Sequence, residues 1–186
     1  YVEGFYYVGA DNRKPIRELI EHLYEVHGCR SFAFAGGPED AFGNLERLAA
    51  YCEALEQYGL SIDDNPILCG DYDYETGVRY MQEYGREKKQ LPDAFVCAND
   101  NIAAGICAEA ENWGYRVPDD FLVTGFDNLD KAAYFRPQIT TVCQDREDIG
   151  ARCVDLLRDL WNGEKIDTWN YIQVECIYAE SCGCPN

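Results

Sequence analysis

Polar and aromatic side chains follow the ends of four apolar segments that the sequence predicts to be β-strands. Arg47 follows the first segment, Tyr72 the second, Asn99 and Asp100 the third, and Asp127 and Asn128 the fourth. Carboxylate and amide oxygens accept hydrogen bonds from hydroxyl groups, and an aromatic ring stacks on the apolar face of a ligand. The set therefore suits the binding of a polyhydroxylated small molecule.

Each of these residues also has an ordinary structural explanation. The four Asn and Asp residues stand at predicted helix starts, where such side chains cap free backbone N–H groups, and spacing alone favours this role. Arg47 could form a surface ion pair with Glu46 or Glu53, and Tyr72 could be an ordinary loop aromatic.

Patterns typical of catalysis are absent from the sequence. It contains no Gly-x-Ser-x-Gly turn, no Gly-x-x-x-x-Gly-Lys phosphate loop, and no Gly-x-Gly-x-x-Gly after a strand. No side chain that could act as a nucleophile has a base placed to activate it. We therefore expect a protein that is not an enzyme, with no catalytic residues and no cofactor.

The ten cysteines lie mostly within apolar segments, where cysteine behaves as a small hydrophobic residue. No Cys-x-x-Cys pair occurs, and His22 and His27 have no cysteine at zinc-site spacing. Cys182-Gly183-Cys184 could bind a metal or act in redox chemistry, but a Gly-rich terminal turn is the favoured interpretation. We expect free thiols, a reducing cytoplasm and no metal site.

The composition limits the classes of partner. The 186 residues carry a formal net charge of −18, which repels a polyanion such as DNA, so this segment is not expected to bind DNA directly. No apolar run is long enough for a membrane span, and none has the form of a signal peptide. The chain begins with Tyr1 rather than Met, which suggests a piece of a longer protein.

Helical and strand patterns alternate along the chain. The predicted helices cover residues 13–26, 44–58, 74–86, 102–113 and 146–161, with a short helix after Asp127-Asn128. The predicted extended segments cover residues 31–35, 67–70, 94–98, 121–126, 139–143 and 171–179. This alternation of nearly continuous apolar strands with helices predicts an α/β fold with a doubly wound, open parallel sheet.

A series of short motifs follows one another along the chain: Asp11-Asn12, His22-Leu23, Phe34-Ala35-Gly36-Gly37-Pro38, Glu46-Arg47-Leu48, Gly70-Asp71-Tyr72, Cys97-Ala98-Asn99-Asp100, Gly114-Tyr115-Arg116-Val117-Pro118, Val123-Thr124-Gly125-Phe126-Asp127-Asn128, Pro137-Gln138-Ile139-Thr140-Thr141 and Glu180-Ser181-Cys182-Gly183. The order of these motifs resembles the effector-sensing region of the LacI/GalR family of transcriptional regulators. The resemblance covers nearly the whole chain. It implies a periplasmic-binding-protein-like class I fold, with an effector held between two Rossmann-like subdomains.

The resemblance also implies a division of the chain. Residues 1–10 would be a remnant of the N-terminal subdomain and crossover, and residues 11–142 the C-terminal effector-binding subdomain. Residues 143–168 would return to the N-terminal subdomain, and residues 169–186 would form the final strand of the C-terminal subdomain and a tail. By the same resemblance, most of the N-terminal subdomain and the helix-turn-helix domain would lie outside this chain.

Five residues match effector contacts of the family: Arg47, Tyr72, Asn99, Asp127 and Gln144. The implied partners are a small effector, expected to be a sugar, and a second copy of the chain, whereas DNA is bound only by the helix-turn-helix domain. The dimer faces are expected around residues 102–109 and 134–135. With half of the cleft missing, we expect Arg47, Asn99 and Asp127 to face solvent and the apolar stripe of helix 146–161 to lack its native neighbours.

Two departures from the family pattern leave an alternative. The loop 39–43 holds Ala41 and Phe42 where a Ser/Thr cluster is common, which leaves the effector class open. The turn 25–29 is one residue longer than usual, and it resembles, with the Cys-Gly-Cys end, LacI-like sensor modules of diguanylate cyclases or histidine kinases. A solute-binding protein of transport is a less favoured alternative.

Overall fold

The computed structural model describes residues 4–87, 90–129 and 134–185, and it confirms the α/β fold. The helices are α1 (Arg13–Glu25), α2 (Phe42–Gln57), α3 (Tyr74–Glu87), α4 (Asp100–Asn112) and α5 (Arg146–Trp161). The strands are β1 (Tyr7–Ala10), β2 (Phe32–Ala35), β3 (Ile67–Leu68), β4 (Ala94–Cys97), β5 (Leu122–Thr124), β6 (Thr141–Cys143), β7 (Trp169–Ile172) and β8 (Glu175–Ile177). Short 3-10 helices cover Ile62–Asp64 and Glu180–Cys182.

A four-stranded parallel sheet with strand order β3-β2-β4-β5 forms the centre of the fold. Across the sheet, the chain steps in one direction from β2 to β3 and in the opposite direction from β3 through β4 to β5. Because parallel crossovers are right-handed, this reversal places α2 on one face of the sheet and α3 and α4 on the other. Helix α1 packs beside α2, and α3 packs beside α4, so the doubly wound arrangement predicted from the sequence is confirmed.

Burial on both faces explains why the central strands read as continuous apolar runs. Every residue of β2 and β4 is buried. Helix α1 covers the sheet with the helical series Ile16, Leu19, Ile20 and Leu23, all fully buried. Its opposite face carries charged residues, which is the pattern of an amphipathic surface helix.

Two further strand pairs lie outside the main sheet. The sequence predicts one final strand over residues 171–179, which is wrong: β7 pairs in parallel with β1, and β8 pairs antiparallel with β6. The main sheet is parallel throughout, and the antiparallel pair β6 and β8 lies outside it. The short helix predicted after Asp127-Asn128 falls on residues 130–133, outside the described residues.

Two expectations about exposed surfaces have different outcomes. The expected dimer face at residues 102–109 is wrong in its main part, because residues 102–107 are buried within the chain, where α4 packs on α3 and the sheet. Tyr134 at the second expected face is exposed. On the predicted apolar stripe of α5, Cys153, Leu157 and Leu160 are exposed as expected, whereas Leu156 is buried. Among the described residues, no helix combines the length and apolar character required to cross a bilayer.

Glycine permits the close approach of α3 and α4. A Cβ atom added to Gly77 would lie 2.1 Å from the Ile102 carbonyl oxygen, and one added to Gly105 would lie 2.1 Å from the Tyr74 carbonyl oxygen. Both obstacles are backbone atoms of the facing helix, which cannot move without separating the helices. The helix pair is therefore fixed at a distance that only glycine allows.

We expect Gly105→Ala to destabilise the chain by about 3 kcal/mol, because the new methyl group overpacks a backbone contact. The matched control is Gly150→Ala on α5, where a Cβ meets no atom within 4 Å. That change should stabilise by about 0.5–1 kcal/mol through helix propensity alone. Urea unfolding of both variants separates the effects, and equal stabilisation by both would contradict the close-packing argument.

Candidate functional site

The carboxyl ends of β2 and β4 border a crevice at the point where the strand order reverses. The chain leaves β2 towards α2 on one face and leaves β4 towards α4 on the other, so the two connections diverge above the sheet edge. Ligands of open α/β sheets bind in such crevices. All five residues predicted to bind an effector lie in the connections around this edge.

Arg47 lies in the crevice and is almost fully buried. Its Nε donates to Asn12 Oδ1 over 2.9 Å, and its guanidinium also donates to the Ala98 carbonyl. A third guanidinium nitrogen lies 3.5 Å from Asp127 Oδ1. The guanidinium carbon stands 3.6 Å from the centroid of the Phe126 ring, a cation–π geometry. The side chain thus joins β1, β4 and the loop after β5.

Burial and charge oppose each other at Arg47. Burial lowers the pKa of the guanidinium, and the Asp127 carboxylate acts to raise it. A buried cation costs several kcal/mol in lost hydration unless hydrogen bonds and an opposite charge compensate. The contacts to Asn12, Ala98, Phe126 and Asp127 supply this compensation, and the surface ion pair considered from the sequence is not the observed role.

Asp127 connects Arg47 to Gln144, and these three side chains form a row. Its Oδ1 atom accepts hydrogen bonds from the Arg47 guanidinium and from Gln144 Nε2. The backbone of Asp127 has φ +97°, which side chains other than Asn and Asp rarely adopt, and its N–H donates to the Val142 carbonyl. Within the described part of the chain, Oδ2 has no hydrogen-bond partner, and about a quarter of the side chain is exposed. This oxygen can accept from a ligand hydroxyl.

Tyr72 and Asn99 hold each other in place beside this row. Asn99 Nδ2 donates to the Tyr72 carbonyl over 3.0 Å, and Asn99 Oδ1 accepts from the Ile102 N–H as the N-cap of α4. The Tyr72 ring covers Gly37 so closely that a Cβ there would lie 2.5 Å from a ring carbon. The capping role of Asn99 is confirmed, and its amide group is already engaged on both sides.

The expectation that Arg47 and Asn99 face solvent is wrong. Both are buried, with exposed fractions of 7% and 4%. Neighbouring protein groups satisfy their polar atoms even without a second half of the cleft, because leaving them unpaired in a buried position would be costly. Asp127 remains partly exposed, so its carboxylate and the Tyr72 ring beside the row are the accessible groups.

Sequence reasoning treated Asp100 as a possible ligand contact or helix cap, but the structure gives it a different role. The buried carboxylate accepts from the Thr141 hydroxyl over 2.6 Å and from the Leu129 N–H over 2.7 Å. A Cβ on Gly125 would lie 2.2 Å from its Oδ1, so glycine is required there. Asp100 therefore fastens the loop that carries Asp127 to the segment that leads to Gln144.

An aromatic cluster beside Arg47 was also not predicted. Tyr7 lies 4.9 Å from Trp169 and 5.4 Å from Phe42 between ring centroids, and Trp169 stacks on Tyr171. Phe42, Trp169 and Tyr171 are each more than a third exposed. Trp169 also stacks on Phe42, so part of each ring is covered by its neighbours and the rest is exposed. The only sequence signal was the density of aromatic residues in three separate segments.

The site contains the buried cation of Arg47, the carboxylate of Asp127 with one oxygen unbonded among the described residues, and partly exposed aromatic rings. These groups can bind a polar ligand. Comparison with known proteins assigns the fold: the family model for the periplasmic binding protein-like domain matches residues 20–182. The chain belongs to the periplasmic-binding-protein-like domain family. Its curated relatives are LacI-family transcriptional regulators, as the motif resemblance indicated.

Two relatives illustrate the match. The HTH-type transcriptional repressor CytR of Escherichia coli (strain K12) is 33% identical over 86% of this chain and 46% of its own length. The catabolite control protein A of Staphylococcus xylosus is 34% identical over 91% of this chain and 50% of its own length. The chain therefore spans about half the length of the curated relatives it matches.

Solved structures agree with the fold. A transcriptional regulator CelR–cellobiose complex superposes with a TM-score of 0.85 and 31% identity, covering 96% of this chain and 54% of that one. A Lac repressor dimer bound to operator superposes with a TM-score of 0.87 over 94% of this chain and 59% of that one. At 24% identity, the second match shows the fold alone.

We expect the loop clamp formed by Asp100 to depend on pH. Burial raises the pKa of Asp100 to about 7, the nearby Asp127 carboxylate adds to this, and hydrogen bonds from Thr141 and Leu129 oppose it. Between pH 4 and 7 the folded chain therefore holds a proton that the unfolded chain releases. The stability that Asp100 contributes is fully present at low pH and is lost as the pH rises through its folded pKa.

Asp100→Asn should remove this dependence, since an amide imitates the protonated carboxyl. The free energy of unfolding of Asp100→Asn minus that of the parent should increase by about 2–4 kcal/mol from pH 4 to pH 7, because the parent loses stability over this range. Urea unfolding at several pH values measures the difference, and Asp63→Asn, an exposed aspartate, is the control for lost charge. A difference that stays constant across this range would contradict the buried-proton argument.

Proposed function

We propose that this chain is the effector-sensing part of a LacI/GalR-type transcriptional regulator and is not an enzyme. The observation that carries the proposal is the row Arg47–Asp127–Gln144, held at the switch-point crevice of a periplasmic-binding-protein-like sheet. The relatives that match the chain are regulators, which supports a binding role over a catalytic one. None of the relatives named above is a signalling enzyme, so the cyclase or kinase alternative has no support from them.

The effector that fits best is a sugar or a molecule with a sugar-like hydroxylated face. Asp127 Oδ2 can accept from hydroxyl groups, and the exposed rings of Phe42, Trp169 and Tyr171 can stack on the apolar face of a pyranose. The solved relative CelR was crystallised with cellobiose, which is consistent with this class. Asn99 contributes by holding Tyr72, with its own amide engaged.

We further propose that the ligand acts by bridging two subdomains. The main sheet would belong to one subdomain, and the parallel pair β1 and β7 with α5, which contacts β1, would belong to the other. This moves β7 out of the C-terminal subdomain suggested by the sequence division. Gln144 lies in the segment that leads from β6 to α5, and its side chain donates to Asp127, so a ligand bound there would favour the closed arrangement by its differential affinity.

The partners follow from this role. We propose a homodimer in the cytoplasm that binds DNA through a helix-turn-helix domain outside this segment, since the relative CytR is an HTH-type transcriptional repressor. The net charge of −18 favours DNA contact through a separate domain. Ligand closure would change the spacing of the two DNA-binding domains in the dimer.

The site is tested with Asp127→Asn in the full-length protein. Binding of a panel of monosaccharides, disaccharides including cellobiose, and nucleosides is measured by thermal shift and then by calorimetry. For any ligand that binds, Asp127→Asn should weaken the affinity by about 10–100-fold, since hydrogen bonds to a charged group are worth about 1.5–3 kcal/mol. Asn also tolerates the positive φ at this position, so the loop should keep its shape.

The matched control is Asp119→Asn, which removes the same charge from the exposed turn before β5, at the opposite edge of the sheet. It should leave the affinity unchanged. Equal affinity in Asp127→Asn and the parent protein would show that the Arg47–Asp127–Gln144 row is not the binding site. The DNA-binding output is checked separately, by operator binding of the full-length protein with and without the ligand.

A further inference from the structure

Four metal-binding side chains from distant parts of the sequence meet at one point in the fold. They are His22, His27, Cys182 and Cys184, and their ligand atoms all lie within 4.8 Å of one another. His22 is in the last turn of α1, and His27 lies in the turn after it. The two cysteines come from the tail that follows β8.

Four of the distances between these atoms are close to the edges of a metal-binding tetrahedron, and they span 3.1–3.9 Å. His22 Nε2 lies 3.1 Å from His27 Nε2 and 3.9 Å from Cys182 Sγ. Cys184 Sγ lies 3.3 Å from His22 Nε2 and 3.5 Å from His27 Nε2. A tetrahedral zinc ion with bonds of about 2.0–2.1 Å to nitrogen and about 2.3 Å to sulfur places its ligand atoms about 3.3–3.8 Å apart.

We propose that His22, His27, Cys182 and Cys184 form a structural zinc site of the Cys2His2 type. Two thiolates and two imidazoles in tetrahedral geometry favour Zn²⁺ over the hard cations that prefer oxygen. Four protein ligands leave no open position for a substrate, so the site is structural. Binding replaces the two thiol protons, which pass to solvent, and no oxidation or reduction takes place.

The backbone around the cysteines is built to present both sulfur atoms to the histidines. Gly183, between them, has φ +86°, a conformation that glycine adopts at low cost. The preceding Ser181 is buried, and its hydroxyl donates to the Val123 carbonyl and accepts from the Thr140 N–H. Cys182, fully buried, is thereby fixed before any metal binds.

The histidine side of the cluster is equally fixed. The Tyr178 ring stacks on His22 with a centroid distance of 3.9 Å. An N–H hydrogen bond accounts for any one of these contacts, but it does not explain why four ligand atoms converge with no carboxylate among them.

The position of the cluster defines what the metal does. His27 and Cys29 precede β2, so the cluster lies at the amino edge of the main sheet, opposite the crevice with Arg47. Zinc bound there would join the end of α1 to the tail and would hold Ser181 against Val123 and Thr140. The proposal therefore stands independently of the effector and of the proposed function.

The test measures metal content and coordination in the full-length protein purified under reducing conditions. We expect one zinc ion per chain, and we expect Co²⁺ in its place to give the intense ligand-field bands of a tetrahedral site with thiolate charge transfer. Removal of zinc by a chelator should lower the melting temperature, and added Zn²⁺ should restore it. An octahedral Co²⁺ spectrum, or a Cys182–Cys184 disulfide in the reduced preparation, would overturn the proposal.

Two variants change the more accessible ligands, so that loss of zinc can be distinguished from misfolding. Cys184→Ser and His27→Gln should each lower zinc affinity by about 100-fold or more, because even the loss of a group behind a ligand costs 10–100-fold. Cys153→Ser and Cys69→Ser change exposed cysteines elsewhere and should keep one zinc per chain. Zinc content that falls equally in all four variants, or in none, would show adventitious binding by the cysteine-rich chain and refute the site.

Discussion

A buried arginine at the reversal of the strand order holds the functional edge of this protein together. Arg47 reaches from α2 to Asn12 after β1, to the carbonyl that follows β4 and to Asp127 after β5. The buried charge is tolerated there only because these groups and the Phe126 ring compensate for the lost hydration. The conformation of each connecting loop therefore depends on the others, and a ligand that contacts Asp127 is coupled to all of them.

The two edges of the sheet have separate chemistry. The carboxyl edge gathers a cation, a carboxylate and exposed rings, which are groups that bind and release a polar molecule. The amino edge gathers two imidazoles and two thiols, which are the ligand types of the proposed zinc site. Asp100 and Ser181 link the sheet to the segments on either side, so both edges rest on the same core.

How far the sequence predicts the site depends on the kind of residue. Arg47, Tyr72 and Asp127 follow predicted strands, and parallel strands bring their carboxyl ends together, so their proximity was predictable. The burial of Arg47 was not, because nothing in the sequence shows that Asn12 and Ala98 reach its guanidinium. Asp100 has the same sequence signature as an ordinary helix cap, and only its packing against Gly125, Thr141 and Leu129 distinguishes it.

The sequence by itself determined the α/β class, the bounds of the five helices within a few residues, and the family resemblance, because these depend on local periodicity and on short motifs. Tertiary structure alone decided that the last predicted strand splits between β1 and β6, and that His22 and His27 meet two cysteines about 160 residues later. Spacing rules find metal ligands that are neighbours along the chain. Ligands brought together by folding leave no local pattern, because their distance is set by how α1 and the tail pack on one sheet.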